Sequence, residues 1–342
     1  MPEITVIISA YNLEEYLGMC FSDLEQQSFK DFEVIIVNDC SRDNTSELAA
    51  AYVAKHLGAA HLITTPQNLG CPGRARNFAL DSGLVRGKYI IFLDGDDTLE
   101  PDFLEKLHTA AVSTAAEITL CAYDRFEDAT GRVLCQEMRG FPTVIDLPSE
   151  DDVLAFINGS LWNKLILTAI IGDTRMPDFR VGEDLCFLFS LYRKCRRIAC
   201  LDDFLIHYRV HTSSVISNTD LETIRLFSAE MSRLLQSSRY NFDLFEVTAL
   251  AAFIHIGISM AMRAYDNQSI SNRAFLVKNK HFLQTQGLLR GRKFLKLCSL
   301  AKHGIRGISI WVCKQLYRIN MMSIFLGFYT WMKRTLKIDV KF

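Results

Sequence analysis

Three observations predict an α/β fold with a mostly parallel sheet, helices on both faces and a separate α-helical C-terminal part. The first is a repeat of short β-branched runs and helical stretches over residues 1–125. These runs are apolar throughout, the pattern of strands covered on both faces of a parallel sheet. The second is the loosening of this rhythm beyond Tyr123. The third is a division of charge: residues 1–262 hold 22 Lys and Arg against 37 Asp and Glu, whereas residues 263–342 hold 16 against only Asp266 and Asp339. The total of −1 is therefore a cancellation. It argues against a nucleic-acid binder as a whole and predicts two parts with different partners, residues 1–216 and 217–342.

Element by element, strands are expected at Ile4 to Ile8, Glu33 to Val37, His61 to Thr65, Tyr89 to Leu93 and Ile118 to Cys121. Helical spacing falls between them, at Leu13 to Gln26, Thr45 to Leu57, Cys71 to Leu84 and Pro101 to Ser113, with Asp43, Asn44 and Pro101 as start signals. Residues 124–147 read as a hairpin region turning at Gly131, 150–195 as mixed helix and loop, and Ile198 to Tyr208 as one or two further strands. From about Asn218 the periodicity is helical. With 49% hydrophobic residues and seven Pro the chain can fill a full core. Ten Cys without a C-x-x-C pair, behind an N-terminus lacking secretory features, point to a reducing cytoplasm. Val247 to Met262 and Ile319 to Met332 are apolar, but both fall short of the roughly 20 residues a membrane span needs. The first is expected to be a buried helix, the second core or an interfacial element.

In open α/β sheets ligands bind at the carboxyl ends of the strands. The four first strands are followed by Ser9-Ala-Tyr-Asn-Leu-Glu14, Asn38-Asp-Cys-Ser-Arg-Asp43, Pro66-Gln-Asn-Leu-Gly70 and Asp94-Gly-Asp-Asp97. Singly these polar tips can be helix caps and turns; together, on one sheet edge, they predict a site. Asp94-Gly95-Asp96-Asp97 is the sharpest, because three carboxylates within four residues repel one another unless a cation or several donors sit among them. Oxygen ligands of this kind favour Mg²⁺ or Mn²⁺, which keeps one or two protein carboxylates and takes further ligands from water and phosphates. A diphosphate-bearing substrate follows. Asp94-x-Asp96-x-Thr98 also matches the first motif of the haloacid dehalogenase phosphatases. In that family, however, the motif ends the first strand, and no later acidic pair completes the site here.

The series Val6-Ile-Ile-Ser-Ala-Tyr-Asn12, Val34-Ile-Ile-Val-Asn-Asp39, Asn68-Leu-Gly70, Arg74-Ala-Arg-Asn77 and Tyr89-Ile-Ile-Phe-Leu-Asp-Gly-Asp-Asp97 resembles glycosyltransferase family 2 over roughly residues 3–215. The resemblance implies a GT-A fold and inverting sugar transfer from a nucleotide-sugar, most simply a UDP-sugar, with a metal. It assigns Asp39 to the nucleotide base, with Tyr11, Glu14 and Gly95 lining the same pocket and Arg76 nearby. Asp94 is assigned to the ribose or the metal, and Asp96 to the metal that bridges the diphosphate. Arg74 reads equally as a solvated helix residue.

The resemblance further implies a general base in a short Glu-Asp motif opening a helix. Val181-Gly-Glu-Asp-Leu-Cys186 makes Asp184 that base and leaves Glu183 to orient the loop or contact the sugar, although acidic residues also open helices as caps. Gly159-Ser-Leu-Trp-Asn-Lys164 offers Trp162 as an apolar wall for a sugar, or as core, and Asn163 and Lys164 for hydroxyls or phosphate. In His207-Tyr-Arg-Val-His211, strand alternation puts His207, Arg209 and His211 on one face, with His211 the candidate metal ligand. Ser213 and Ser214 are weaker phosphate candidates. None of the three Trp follows an Arg, so the Gln-x-x-Arg-Trp motif of processive members is missing and addition of one or a few sugars is expected.

Residues 218–342 lie outside the resemblance. On a helical wheel over Arg292 to Arg306, Phe294, Leu297, Cys298, Ala301 and Ile305 share one face, and Arg292, Lys296, Ser299, Lys302, His303 and Arg306 the other. Such a basic amphipathic helix fits an anionic membrane surface, as do Trp311, Phe325, Phe328, Tyr329 and Trp331 followed by Lys333, Arg334 and Lys337. The expectation is a cytoplasmic enzyme, peripheral on the inner face of the membrane, that acts on a saccharide or lipid-linked acceptor in surface polysaccharide synthesis. A phosphatase and an inert membrane-bound scaffold stand as alternatives.

Overall fold

The computed structural model describes residues 1–147, 151–210, 221–237, 244–262 and 272–336. The chain forms two compact units: Met1–Glu150 with Asn158–Ser214, and Asp151–Ile157 with Val215–Phe342.

The first unit is built on one sheet. Strands β1 (Ile4–Ala10), β2 (Phe32–Asn38), β3 (Ala60–Thr64) and β4 (Tyr89–Asp94) lie in the order β3-β2-β1-β4, all parallel. Their Val, Ile and Leu side chains are almost wholly buried, as runs covered on both faces require. Helices α1 (Leu17–Gln26), α2 (Thr45–Lys55), α3 (Pro72–Asp81) and α4 (Phe103–Thr114) connect or follow them. Helix α1 starts four residues later than the periodicity predicts, because Asn12 adopts a φ of +53° and residues 13–16 close a turn through Tyr16 N–H to the Leu13 carbonyl. Helix α3 starts at Pro72, where the missing N–H leaves no helical partner unsatisfied.

Beyond β4 the sheet becomes mixed, so the mostly parallel sheet that the sequence predicts also takes in antiparallel strands. After β5 (Thr98–Leu99) come β6 (Ile118–Glu127), β7 (Val133–Glu137), β8 (Val144–Asp146), β9 (Lys164–Leu167) and β10 (Arg197–Val210). The four-residue β9 wedges between β4 and β6, antiparallel to both. β10 runs parallel to β6 but antiparallel to β5 and β8. β6 and β7 form the expected hairpin, with Gly131 at φ +67° in its turn. Helix α5 (Glu183–Tyr192) opens directly after Gly182, whose φ is +91°.

The second unit is helical: α6 (Leu221–Ser237), α7 (Leu244–Ala252), which runs on as a π-helical stretch over Phe253–Met260, α8 (Asn272–Thr285), α9 (Gly304–Arg318) and α10 (Met322–Leu336). The apolar Val247 to Met262 segment is a buried helix, as its composition predicts. Widening to π geometry frees carbonyls from the usual ladder. The buried Asn279 amide donates to Ile256 O at 3.1 Å and Gly257 O at 3.3 Å, and the Tyr317 hydroxyl also donates to Gly257 O. The basic helix expected over Arg292 to Arg306 is not continuous. Lys296 is extended (φ −80°, ψ 149°) and Gly304 turns at φ +65°, so the stretch breaks into short pieces, Lys293–Leu295, Leu297–Leu300 and Ala301–His303. Among the described residues no helix is long and apolar enough to cross a membrane.

Candidate active site

The tips of β1 and β2 are laced together. Asn12 N–H donates to Ser41 Oγ at 3.0 Å, and Asn12 Oδ1 accepts from Arg42 N–H at 2.9 Å. Glu14 N–H donates to Asp43 Oδ2 at 3.1 Å, while Glu14 Oε2 accepts from Asn44 N–H at 3.0 Å and Asn44 Nδ2 at 2.8 Å. Glu14 therefore holds the start of α2 in place, and Tyr11 stands exposed beside it. Asp39 is buried and organises the tip of β3: its Oδ1 accepts from Thr65 Oγ1 at 2.9 Å and Leu69 N–H at 2.8 Å, and its Oδ2 from Asn68 Nδ2 at 3.2 Å.

Arg76 is the centre of the arrangement. Helix α3 carries it inward until it is only 2% exposed, and its two terminal nitrogens donate to different carboxylates: Nη1 to Asp184 Oδ1 and Nη2 to Asp94 Oδ1, each at 2.6 Å. The residue at the tip of β4 and the residue at the head of α5 thus share one guanidinium, across 108 positions of sequence between Arg76 and Asp184. Arg76 Nε is buried without a partner. Burial pushes the Asp94 carboxyl up to about 6 in spite of Arg76, with Asp96 and Asp184 adding repulsion. Glu183 is buried and raised well above the usual carboxylate range, by burial first and by Asp184 next. A Cβ on Gly73 would stand 2.8 Å from Glu183 Cγ, so only glycine lets α3 approach α5 this closely.

A second arginine, which the sequence placed on the face of His207 without a role, braces the acidic tip. Arg209 Nε donates to the Asp96 carbonyl at 2.7 Å, its N–H to Asp97 Oδ1 at 3.0 Å, and its Nη1 to Asp128 Oδ1 at 2.6 Å, with Tyr16 and Phe126 against its charged plane. Asp97 is buried, and its Oδ2 has no partner. Burial, then Asp96 and Asp94, raise its carboxyl well above the usual range. Gly95 is packed tightly: a Cβ there would lie 3.0 Å from Leu13 and Leu17.

The segment 159–164 meets one of the two alternatives for Trp162 and departs from the expectation for Lys164. Trp162 is core, edge-on to Tyr123 at 4.5 Å and stacked on Tyr208 at 5.4 Å. Lys164 is buried, with its amine donating to Asn158 Oδ1 at 2.5 Å, Ser160 O at 2.7 Å and Asn163 Oδ1 at 2.9 Å. A fully engaged ammonium does not reach a sugar hydroxyl or phosphate, and burial lowers it to about 7. Asn163 likewise donates to the Cys121 carbonyl, at 2.8 Å. His207 sits between Asp124 and Glu100, at 2.9 and 3.0 Å. Arg74 pairs with Asp178 and donates to the Leu69 carbonyl at 2.7 Å. His211, Ser213 and Ser214 lie outside the described residues.

The tip of β4 offers oxygen donors of the kind a divalent cation takes. Asp94, Asp96, Asp97, Glu183 and Asp184 gather around Arg76 and Arg209; Asp97 Oδ2 is buried without a partner, and burial, ahead of the neighbouring carboxylates, raises both Asp94 and Asp97. Among the described residues no three His, Cys, Asp or Glu are arranged to hold a metal by themselves.

Residues 5–159 match the sequence family described as Glycosyl transferase family 2. Over this segment, less than half of its length, the chain is similar to that family. A putative glycosyltransferase of Bacillus subtilis, EpsH, is 30% identical over 226 residues, 63% of this chain and 63% of that protein. The putative teichuronic acid biosynthesis glycosyltransferase TuaG of the same organism is 28% identical over 64% of this chain and 82% of its own. The chain spans less than two thirds of the first relatives it matches, 63% of EpsH and 31% of the Streptococcus pneumoniae glycosyltransferase GlyA. Residues 1–349 of Staphylococcus aureus TarS, solved with UDP-GlcNAc, share the fold with a TM-score of 0.70 at 21% identity, covering 94% of this chain and 92% of that one. The sheet is accordingly GT-A-like, and the matched segment contains every strand-tip motif but stops 25 residues short of Asp184.

Proposed function

We propose that the protein is an inverting glycosyltransferase that moves a sugar from a nucleotide-diphosphate donor, a UDP-sugar, to a saccharide or lipid-linked acceptor in surface polysaccharide synthesis. The observation that carries the reading is Arg76 joining Asp94 to Asp184 at 2.6 Å each, because it sets the donor side and the acid–base side of one reaction next to each other. Asp184 is the general base. It takes the proton of the acceptor hydroxyl as the new bond from that oxygen to the anomeric carbon forms, while the bond to the diphosphate breaks on the opposite face and nucleoside diphosphate leaves. Arg76 fixes the position of the Asp184 carboxylate. Tyr11 offers an aromatic face to the nucleotide base, and Asp39, with the β3 tip it organises, accepts the N–H of that base. Glu183 orients the head of α5. Asp94 and Asp96 would hold a divalent cation, Mn²⁺ or Mg²⁺, which would supply positive charge to the leaving diphosphate. His211 is a candidate to complete that shell.

The relatives support donor and setting: TarS is solved with UDP-GlcNAc, and TuaG is described in teichuronic acid biosynthesis. We place the enzyme at the cytoplasmic face of the membrane, where a lipid-linked acceptor is presented. The test is nucleoside diphosphate release from UDP-, GDP- and dTDP-sugars, with Mn²⁺ and with EDTA. Release confined to one donor class and abolished by EDTA is expected; release indifferent to EDTA removes the metal role of Asp96. Asp184→Asn should abolish transfer while leaving donor affinity nearly intact, and retained transfer would overturn the base assignment.

A further inference from the structure

The last two described helices of the second unit are apolar on two opposite sides. Inward, α9 buries Ile310, Cys313 and Tyr317, and α10 buries Met322, Leu326 and Tyr329. Outward, α9 exposes Ile305 (83%), Ile308 and Val312, and α10 exposes Ile324, Phe328 (54%) and Trp331 (53%). The spacings i, i+3, i+7 and i, i+4, i+7 put each outward set on one helix face. The turn between the helices continues the pattern, with Ile319 and Met321 exposed. Single exposed apolar side chains are ordinary, whereas contiguous stripes mark an interaction surface.

Charge decides what covers it. From residue 297 to 336 the chain holds six Lys and Arg and no Asp or Glu. Lys302, Arg306 and Arg318 are exposed on or beside α9. A second copy would bring like charges together, and an acidic surface would be drawn to them. Apolar stripes with cationic flanks, on helices too short to span, are the features of elements that lie in the plane of a bilayer. We propose that α9 and α10 form an interfacial docking face for an anionic lipid surface, with Ile305, Ile308, Val312, Ile324, Phe328 and Trp331 immersed at the boundary of headgroups and acyl chains. This deepens the placement of the transferase at a membrane and rests on that reading for its setting. It keeps Phe328 and Trp331 from the aromatic set expected at a membrane, leaves out the buried Tyr329, and sets aside the broken pieces before Gly304.

The experiment is flotation of the full chain with vesicles of phosphatidylcholine and phosphatidylglycerol, and with phosphatidylcholine alone. Binding should require the anionic lipid and weaken with salt. The double variant Ile308→Glu, Phe328→Glu should bind roughly a hundredfold more weakly, on the order of tenfold for each side chain withdrawn from the apolar phase. Both sites are exposed, so an unchanged thermal midpoint is the control for folding, and the Trp emission shift on vesicle binding should disappear in Trp331→Phe. Undiminished flotation of the double variant, equal binding to neutral vesicles, or self-association of the wild type that the double variant abolishes would each overturn the proposal. Donor turnover with a soluble acceptor is unchanged in the variant if only docking is lost, which separates this failure from a failure of the transferase reading.

Discussion

Replacing Arg76 with Met keeps much of the side-chain volume and removes the charge that Asp94 and Asp184 share at 2.6 Å. Breaking a buried ion pair by removing one partner costs about 3–5 kcal/mol, because the charge left behind loses its compensation. Here two carboxylates are left, but they are 31% and 21% exposed, so water reaches them and the lower end, about 3 kcal/mol, applies. For a unit of this size that is a fall of roughly 6–12 °C in thermal midpoint. The loss should also depend on pH. The Asp94 carboxyl is already raised to about 6 from 3.8, so between these values the folded protein holds a proton that the unfolded chain has lost, and this group's contribution to stability falls as pH rises. Without Arg76 the folded carboxyl rises further and the window extends upward. The destabilisation of Arg76→Met should therefore be larger at pH 7.5 than at pH 5, read as urea midpoints of the donor-free protein. A loss under about 1 kcal/mol, or one equal at both pH values, would refute the view that Arg76 balances these two carboxylates.

Two further outcomes are expected. Lys164 is lowered to about 7 from 10.5 by burial, so between those values the unfolded chain binds the extra proton and stability rises with pH, by up to about 1.4 kcal/mol per unit; Lys164→Met should remove that slope in urea titrations at pH 7, 8 and 9, and a slope shared by both proteins would sink the assignment. Gly73→Ala sets a Cβ 2.8 Å from Glu183 Cγ, which must move the head of α5; turnover should fall on the order of a hundredfold, as misplacements near 1 Å do, with donor affinity by calorimetry little changed, and full turnover would show that the approach of α3 to α5 is not needed.

The first four strands are legible because each is a run of Val, Ile and Leu that only a doubly covered parallel sheet accommodates, and their tips carry the polar residues that the structure brings together. β9 was not legible. Lys164-Leu-Ile-Leu167 is too short for a period, follows a Trp-Asn pair, and opens on a charged residue whose burial depends on Asn158, Ser160 and Asn163 closing around it. Strand alternation assigned Arg209 to the face of His207 but could not supply Asp128 and the Asp96 carbonyl as its partners. The Glu-Asp pair at 183–184 was legible as the head of a helix; its union with Arg76 was not, because it is formed by tertiary packing alone. The wheel over 292–306 failed for a local reason, since Gly304 at positive φ and an extended Lys296 interrupt what the pattern treats as one helix.

The wedged position of β9 has a consequence for handling the molecule in pieces. The family-matched segment ends at residue 159, ahead of β9 and β10, yet β9 is the strand that joins β4 to β6. A fragment cut at that boundary would present the buried apolar edges of β4 and β6 to solvent, unpaired and facing other copies of themselves, the arrangement that templates edge-to-edge aggregation. The smallest part of the first unit with its sheet closed therefore runs to Val210, and expression of 1–159 should yield insoluble protein however well its sequence matches the family.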